Sequence, residues 1–147
     1  MYHSLYFIDD DIIKNTWADW RLIPTTRPVI SQPSPTFTYV DIPGADGSMD
    51  LTDYLIGRPT YSDRSGSFEF YVDHRVSLDW ATVRASLAEF FNGKVMKMYL
   101  EDDPNYYYIG RFFFRAWAPD SSYSRVTIEY RVKPYRYLRS NDQEAGL

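Results

Sequence analysis

Residues 106–118 read YYYIGRFFFRAWA, and after a polar break residues 123–132 read YSRVTIEYRV. In extended backbone successive side chains point to opposite faces. In the second segment Val126, Ile128, Tyr130 and Val132 therefore share one side, and Arg125, Thr127, Glu129 and Arg131 share the other. That alternation is the signature of a half-buried strand, and Pro134 ends it. In the first segment Tyr106, Tyr107, Tyr108, Phe112, Phe113, Phe114 and Trp117 place rings on both faces of one long strand. A strand apolar on both sides lies between two layers or at a subunit boundary. A platform on which sugars or bases stack is the competing reading.

Moving toward the N-terminus, residues 95–100 form a further strand, joined to 106–118 through Glu101-Asp102-Asp103-Pro104-Asn105, a connection rich in turn formers. Before it the spacing predicts one helix. Ser77 is a good N-cap, Asp79 complements the helix dipole, and Trp80, Val83, Leu87, Phe90 and Phe91 recur on one face until Asn92-Gly93 stops it. The helix covers about residues 78–92. Residues 67–72 alternate with Phe68, Phe70 and Val72 on one face, after a polar lead-in at 61–66 in which Arg64-Ser65-Gly66-Ser67 reads as a turn.

Residues 5–8 form a short strand, followed by the turn Asp9-Asp10-Asp11 and then Ile12-Ile13. Residues 14–35 hold Pro24, Pro28, Pro33 and Pro35 together with Trp17 and Trp20, which argues against a regular helix or central strand and for an extended segment lying on something. Residues 36–41 alternate and end at two turn signals, Pro43-Gly44 and Asp46-Gly47. Residues 49–56 are apolar at mixed spacing and close at Gly57. The expected architecture is mainly β, a sandwich or barrel with one flanking helix, in a single domain over residues 1–139. Residues 140–147 are polar, without periodicity, and are expected to be a flexible tail.

Composition excludes several functions. With no cysteine there is no disulfide framework, thiolate metal site or cysteine nucleophile. The net charge of −4, with signs mixed along the chain, does not suit a protein that grips nucleic acid by neutralising phosphates, so no sequence-specific nucleic-acid binding is expected. No apolar run approaches the roughly 20 residues of a membrane span, and the N-terminus lacks a basic region ahead of its apolar stretch, so a soluble, unprocessed chain is expected. His3 and His74 are the only histidines and have no metal-ligand spacing. The acidic clusters at 9–11 and 101–103 lack the spaced pattern of a calcium loop and read as solvated turns. There is no nucleophile elbow, and 43–47 lacks the ending of a phosphate loop. No catalytic residue, metal or cofactor is expected. The aromatic fraction of 18% points instead to a β-rich protein that assembles.

Four motifs in fixed order carry a resemblance: residues 15–24 (NTWADWRLIP) followed by Arg27-Pro28; residues 39–47 (YVDIPGADG) and 49–53 (MDLTD); Tyr61, Arg64 and residues 66–70 (GSFEF) after Gly57; and residues 100–111 (LEDDPNYYYIGR). Over about residues 5–137 the chain resembles the N-terminal, ring-forming domain of phage distal tail proteins, also called phage tail components. The resemblance implies a tail-tube-related β-sandwich with a flanking helix and a hexameric ring under the last ring of the tail tube, with a hole through which DNA passes. The implied partners are further copies of the chain, the tail tube protein, the tail-associated hub or tail-tip proteins, and receptor-binding proteins. The implied location is the virion tail tip, after synthesis in the host cytoplasm, in a siphovirus or prophage.

Many members continue into a C-terminal galectin-like or carbohydrate-binding domain, whereas this sequence stops at residue 147, so the ring-forming part is what is expected here. Trp17, Trp20, Arg27, Tyr39, Tyr61, Tyr106, Tyr107 and Tyr108 are the candidate interface residues. Residues 17–35 either form an arm across an adjacent subunit, anchored by the two tryptophans, or fold back into their own core. The alternatives to a distal tail ring are a tail tube or tube-end adaptor protein, a carbohydrate-binding module and, from another class, a hydrolase with paired carboxylates.

Overall fold

A computed structural model describes residues 2–54, 56–73, 80–118 and 123–147. In chain order the elements are β1 (Leu5–Asp9), β2 (Ile12–Asn15), α1 (Thr16–Trp20), β3 (Leu22–Pro24), β4 (Pro35–Thr36), β5 (Tyr39–Asp41), β6 (Ser48–Asp50), β7 (Thr60–Tyr61), β8 (Arg64–Asp73), α2 (Trp80–Phe90), β9 (Asn92–Leu100), β10 (Asp103–Ala118), β11 (Tyr123–Val132) and β12 (Tyr137–Leu138). One eight-stranded antiparallel sheet runs in the order β2-β1-β9-β10-β11-β8-β3, with β12 added to β10; β4-β7 and β5-β6 form two separate two-stranded ribbons. The mainly β, barrel-like class expected from the sequence holds, in the form of a half-barrel made by one curled sheet.

The alternation in β11 sets the register of the centre. Val126, Ile128 and Tyr130 sit opposite Phe70, Phe68 and Gly66 of β8, and opposite Trp117, Phe114 and Phe112 of β10. All of these face the concave side. The register slips between Phe114 and Ala116, and such a bulge bends its strand and sharpens the local twist, which curls the sheet. Gly110 is required where β10 and β11 approach most closely, because a Cβ there would lie 2.3 Å from the Arg131 carbonyl oxygen and 2.4 Å from Val132 Cα.

Helix α2 lies across the concave side and buries Val83, Leu87 and Phe90. Phe91 follows, and Phe7 of β1 meets the rings of both Phe91 and Phe112 edge-on, with centroids 4.7 and 5.0 Å apart. Asn92 and Gly93 (φ +88°) are the first residues of β9, which starts directly after Phe91. The expected N-cap Ser77 and Asp79 fall outside the described residues. Trp80, placed by its spacing on the buried face, is instead 56% exposed, its ring 6.4 Å from that of Trp117 at the sheet margin.

Residues 14–24 depart from the reading of an irregular extended segment. Asn15 caps a single helical turn by accepting from the backbone N–H groups of Trp17 and Ala18, both at 2.9 Å, while the Asp19 carboxylate accepts from the Asn15 N–H at 2.7 Å. This is the reciprocal logic of a capping box with the acid one residue later than usual. Arg21 then takes the left-handed conformation (φ 55°) and closes the turn through its N–H. The chain passes into β3, which pairs with β8 at the edge of the sheet, where Pro24 is tolerated because its missing N–H faces no further strand.

Residues 64–67 correct a second expectation. They are the start of β8 and not a turn, and Arg64 is buried at 2% exposure, donating from Nε to the Pro134 carbonyl at 2.9 Å and lying over the Tyr108 ring. Residues 140–147, expected as a flexible tail, turn back on β12 through Leu138 N–H to Gln143 O (2.9 Å) and Ala145 N–H to Arg136 O (2.8 Å).

Candidate assembly surfaces

Among the described residues two surfaces gather most of the exposed large apolar side chains, and they differ in shape and charge. The first is the excursion made by β4, β5, β6 and β7. Its ribbons pair only within themselves, and residues 34–50 are exposed throughout. In the β5-β6 hairpin Val40 sits opposite Met49 and Tyr39 opposite Asp50. Period-2 alternation therefore puts Val40, Ile42 and Met49 on one face, and Phe37 and Tyr39 with Asp41 and Asp50 on the other. Gly44 and Gly47, at φ of +79° and +75°, make the tip. Such a two-stranded ribbon is marginal in water by itself, and here it exposes apolar side chains on both faces.

Residues 36–54 contain Asp41, Asp46, Asp50 and Asp53 and no Lys or Arg. The Asp41 carboxylate accepts from Ser48 Oγ, and Asp50 accepts from the Thr52 hydroxyl and N–H, which hold its carboxyl below the usual range. Among the described residues none of these four carboxylates is in an ion pair.

The second surface is the convex face of the sheet. Residues facing away from the core across β2, β1, β9 and β10 are Ile13, Ile8, Lys97 and Ile109 in one row, and Val95 and Arg111 lie in the next, with Arg131 beyond on β11. Ile13, Val95 and Phe113 are each more than half exposed. Arg111 donates to the Gly93 carbonyl at 2.9 Å, and Lys97 lies 5.0 Å from the centroid of Tyr107. Neither has a carboxylate partner among the described residues, whereas Arg131 pairs with Asp63 at 2.9 Å.

The interface candidates separate into distinct environments. Trp20 is 2% exposed, packs between Phe90 and Phe91 (5.4 Å to each), and donates its indole N–H to Ser86 Oγ at 3.0 Å. It belongs to its own core, so it cannot anchor an arm on a neighbour. Trp17 stacks on Tyr2 at 3.9 Å and carries Arg21 over its other side. Arg27 donates to Asp102 of its own chain at 2.9 Å. Pro28, Ile30 and Pro33 are buried, and Ser31 N–H donates to the Tyr130 hydroxyl at 2.9 Å. Residues 20–33 thus lie along their own subunit.

Tyr107 is covered by Tyr137 of β12 and donates to Asp142 at 2.8 Å; burial first, then that hydrogen bond, push its hydroxyl up to about 12. Tyr108 faces the core, and Tyr106 is half-buried under Arg136, whose guanidinium is 4.0 Å from the ring centroid. Tyr61 is half-buried edge-on to Tyr135. Of the eight only Tyr39 and Arg27 are exposed residues, and Tyr39 lies on the hairpin.

The acidic turn at 101–103 is structural and not simply solvated. Glu101 accepts from Ser4 N–H and Ser4 Oγ, both at 2.7 Å, and these bonds lower its carboxyl. Asp102, only 11% exposed, accepts from His3 Nδ1–H at 2.8 Å and from Arg27 Nε at 2.9 Å. Burial pushes this carboxyl up, but the two donors outweigh it and hold it below the ordinary value of 3.8. His3, which has no metal-ligand spacing in the sequence, is part of a clamp joining the N-terminus, residue 27 and the β9-β10 turn. Sequence spacing carries no signal for it, because its members are up to 99 positions apart.

Among the described residues there is no grouping of three or more His, Asp or Glu placed to hold a metal, and no helix is long and apolar enough to cross a membrane. No family model matches the sequence, and no curated protein matches it. The curled sheet with its flanking helix does match known structure. The Dit protein of phage SPP1, described as a paradigm of the hub adsorption apparatus in phages that infect Gram-positive bacteria, has the same fold with a TM-score of 0.60 at 17% identity. The similarity covers 91% of this chain and 52% of that protein, so the chain spans about half the length of its structural neighbour.

Proposed function

We propose that this chain is a structural subunit of a phage tail tip, a distal tail protein that closes into a ring between the tail tube and the host-adsorption apparatus and leaves a passage for DNA. The observation that carries the reading is the shared fold over 91% of the chain with a phage hub protein. The ordered motifs at 15–24, 39–53, 61–70 and 100–111 support it independently, since they fall on α1-β3, the exposed hairpin, β7-β8 and the β9-β10 turn.

A cyclic ring repeats one heterologous interface, so each subunit must present two different and complementary surfaces. The hairpin and the convex sheet face meet that requirement, and Tyr39 is the interface candidate best placed to serve it. Trp20, Tyr107 and Tyr108 then act within the subunit. The chain is non-catalytic, needs no cofactor, and partners with copies of itself in a hexamer, with the tail tube protein, with hub or tail-tip proteins and with receptor-binding proteins. Mass photometry and negative-stain microscopy of the purified chain test this reading. Closed rings are expected. Filaments would favour a tube protein, and a monomer at every concentration that binds glycans would favour a carbohydrate module.

A further inference from the structure

The chain leaves β12 beside the start of β10, and a cleft of about 470 Å³ opens there, lined by Pro104, Asn105, Tyr106, Leu138, Arg139 and Ser140. Its lining offers donors and no acid. Arg139 brings a guanidinium, Asn105 an amide, and Tyr106 and Ser140 bring hydroxyls, while no Asp or Glu is among the lining residues.

An exposed arginine is ordinarily a mobile chain that loses side-chain entropy when it binds. Arg139 is held before any ligand arrives. Its guanidinium lies 3.8 Å from the centroid of the Tyr99 ring, and its Nη1 donates to the Pro104 carbonyl at 2.7 Å. Its backbone N–H donates to the Asn105 carbonyl at 2.9 Å, which ties the two walls of the cleft together. Among the described residues no carboxylate pairs with it, so its charge and its remaining N–H groups stay available. A fixed guanidinium fork is the group suited to an oxyanion.

The acids of the neighbourhood are engaged elsewhere. Asp103 pairs with Arg136 at 3.6 Å, and Asp142 accepts from the Tyr107 hydroxyl at 2.8 Å. His3 and Arg27 hold Asp102, and Ser4 holds Glu101. Arg136 lies 4.0 Å from the centroid of the Tyr106 ring that lines the cleft, and its charge adds to that of Arg139. The donor set also separates ligands. A planar carboxylate is satisfied by one guanidinium edge, whereas guanidinium, amide and hydroxyl groups from two chain segments match the several oxygens of a tetrahedral anion.

We infer that this cleft binds a phosphate group, with Arg139 as the cation that holds it and Asn105 and Ser140 as neutral donors. The site is separate from ring closure and does not depend on it.

Calorimetric titration of the purified chain with sodium phosphate at constant ionic strength tests this. Saturable binding of one phosphate per chain is expected, with a dissociation constant on the order of 1 mM. Arg139→Gln is expected to weaken binding about tenfold or more, and Arg139→Lys, which keeps the charge and loses the fork, by an intermediate factor. Asn105→Ala removes an exposed amide that makes no side-chain hydrogen bond among the described residues. It leaves the backbone carbonyl in place and is expected to weaken binding roughly threefold, with circular dichroism unchanged. Dimethyl phosphate is the second ligand: affinity equal to that of phosphate assigns the site to a phosphodiester, and affinity about tenfold lower assigns it to a free or terminal phosphate. Acetate bound as tightly as phosphate, titrations without saturable heat, or Arg139→Gln binding as well as wild type would each overturn the inference and leave the ring reading untouched.

Discussion

Replacing Trp20 by Ala separates a core residue from an interface anchor. The ring is 2% exposed between Phe90 and Phe91, and its indole N–H reaches Ser86 Oγ of α2. Truncating a buried tryptophan costs about 3–5 kcal/mol. Here the loss falls on the joint between α1 and α2, two elements whose contact spans 66 positions of sequence. For a domain of this size the expected fall in the thermal midpoint is roughly 6–20 °C. Trp20→Phe retains much of the packing and loses the hydrogen bond, and is expected to fall between Trp20→Ala and wild type. Urea unfolding followed by circular dichroism, on protein dilute enough to be monomeric, gives the number free of assembly. Trp17→Ala is the control: Trp17 is half-buried against Tyr2, so its loss is expected to cost about 1 kcal/mol, the centre of the distribution for point substitutions. An unchanged monomer midpoint for Trp20→Ala, with lost self-association, would refute the placement of Trp20 in its own core and restore the anchoring arm.

Gly110→Ala is expected to destabilise by about 1–3 kcal/mol or more, since the new Cβ meets the β11 backbone at Arg131 and Val132 at 2.3 and 2.4 Å; a urea midpoint equal to wild type contradicts the close approach of β10 and β11. Asp102 has a folded-state value held below its ordinary 3.8, so its stabilising contribution is complete above that value and is lost as pH falls through the folded one. Asp102→Asn should flatten the acid limb of the stability curve below about pH 4, and an unaltered limb would count against the clamp. Tyr107 behaves in the opposite sense: with its hydroxyl raised to about 12, its contribution is complete below 10 and is lost between 10 and about 12. The urea midpoint should fall more steeply across that window in wild type than in Tyr107→Phe, and equal slopes would count against the Tyr107–Asp142 bond.

Alternation in β8 and β11 and the helical spacing of Val83, Leu87 and Phe90 depend on side-chain periods of 2 and 3.6, which are local properties. They specified the mainly β class and the flanking helix directly. The turn α1 was also encoded locally, by Asn15 and Asp19, but four prolines in the same stretch masked it. The hairpin was marked by its two glycine turns, although nothing in its sequence says that both of its faces stay uncovered.

The sequence by itself determined the strand pattern, the absence of a cysteine framework and the acidic, cation-free run that became the hairpin. Only the tertiary structure decided that Trp20, Tyr107 and Tyr108 serve their own subunit, that Arg64 is buried and Asp102 clamped between His3 and Arg27, and that the open surfaces are a hairpin and a sheet face. The reason is range. A strand's period is written in neighbouring residues, but whether a given aromatic ring is covered depends on partners such as Ser86 for Trp20, 66 positions away, and those meet only once the sheet has curled.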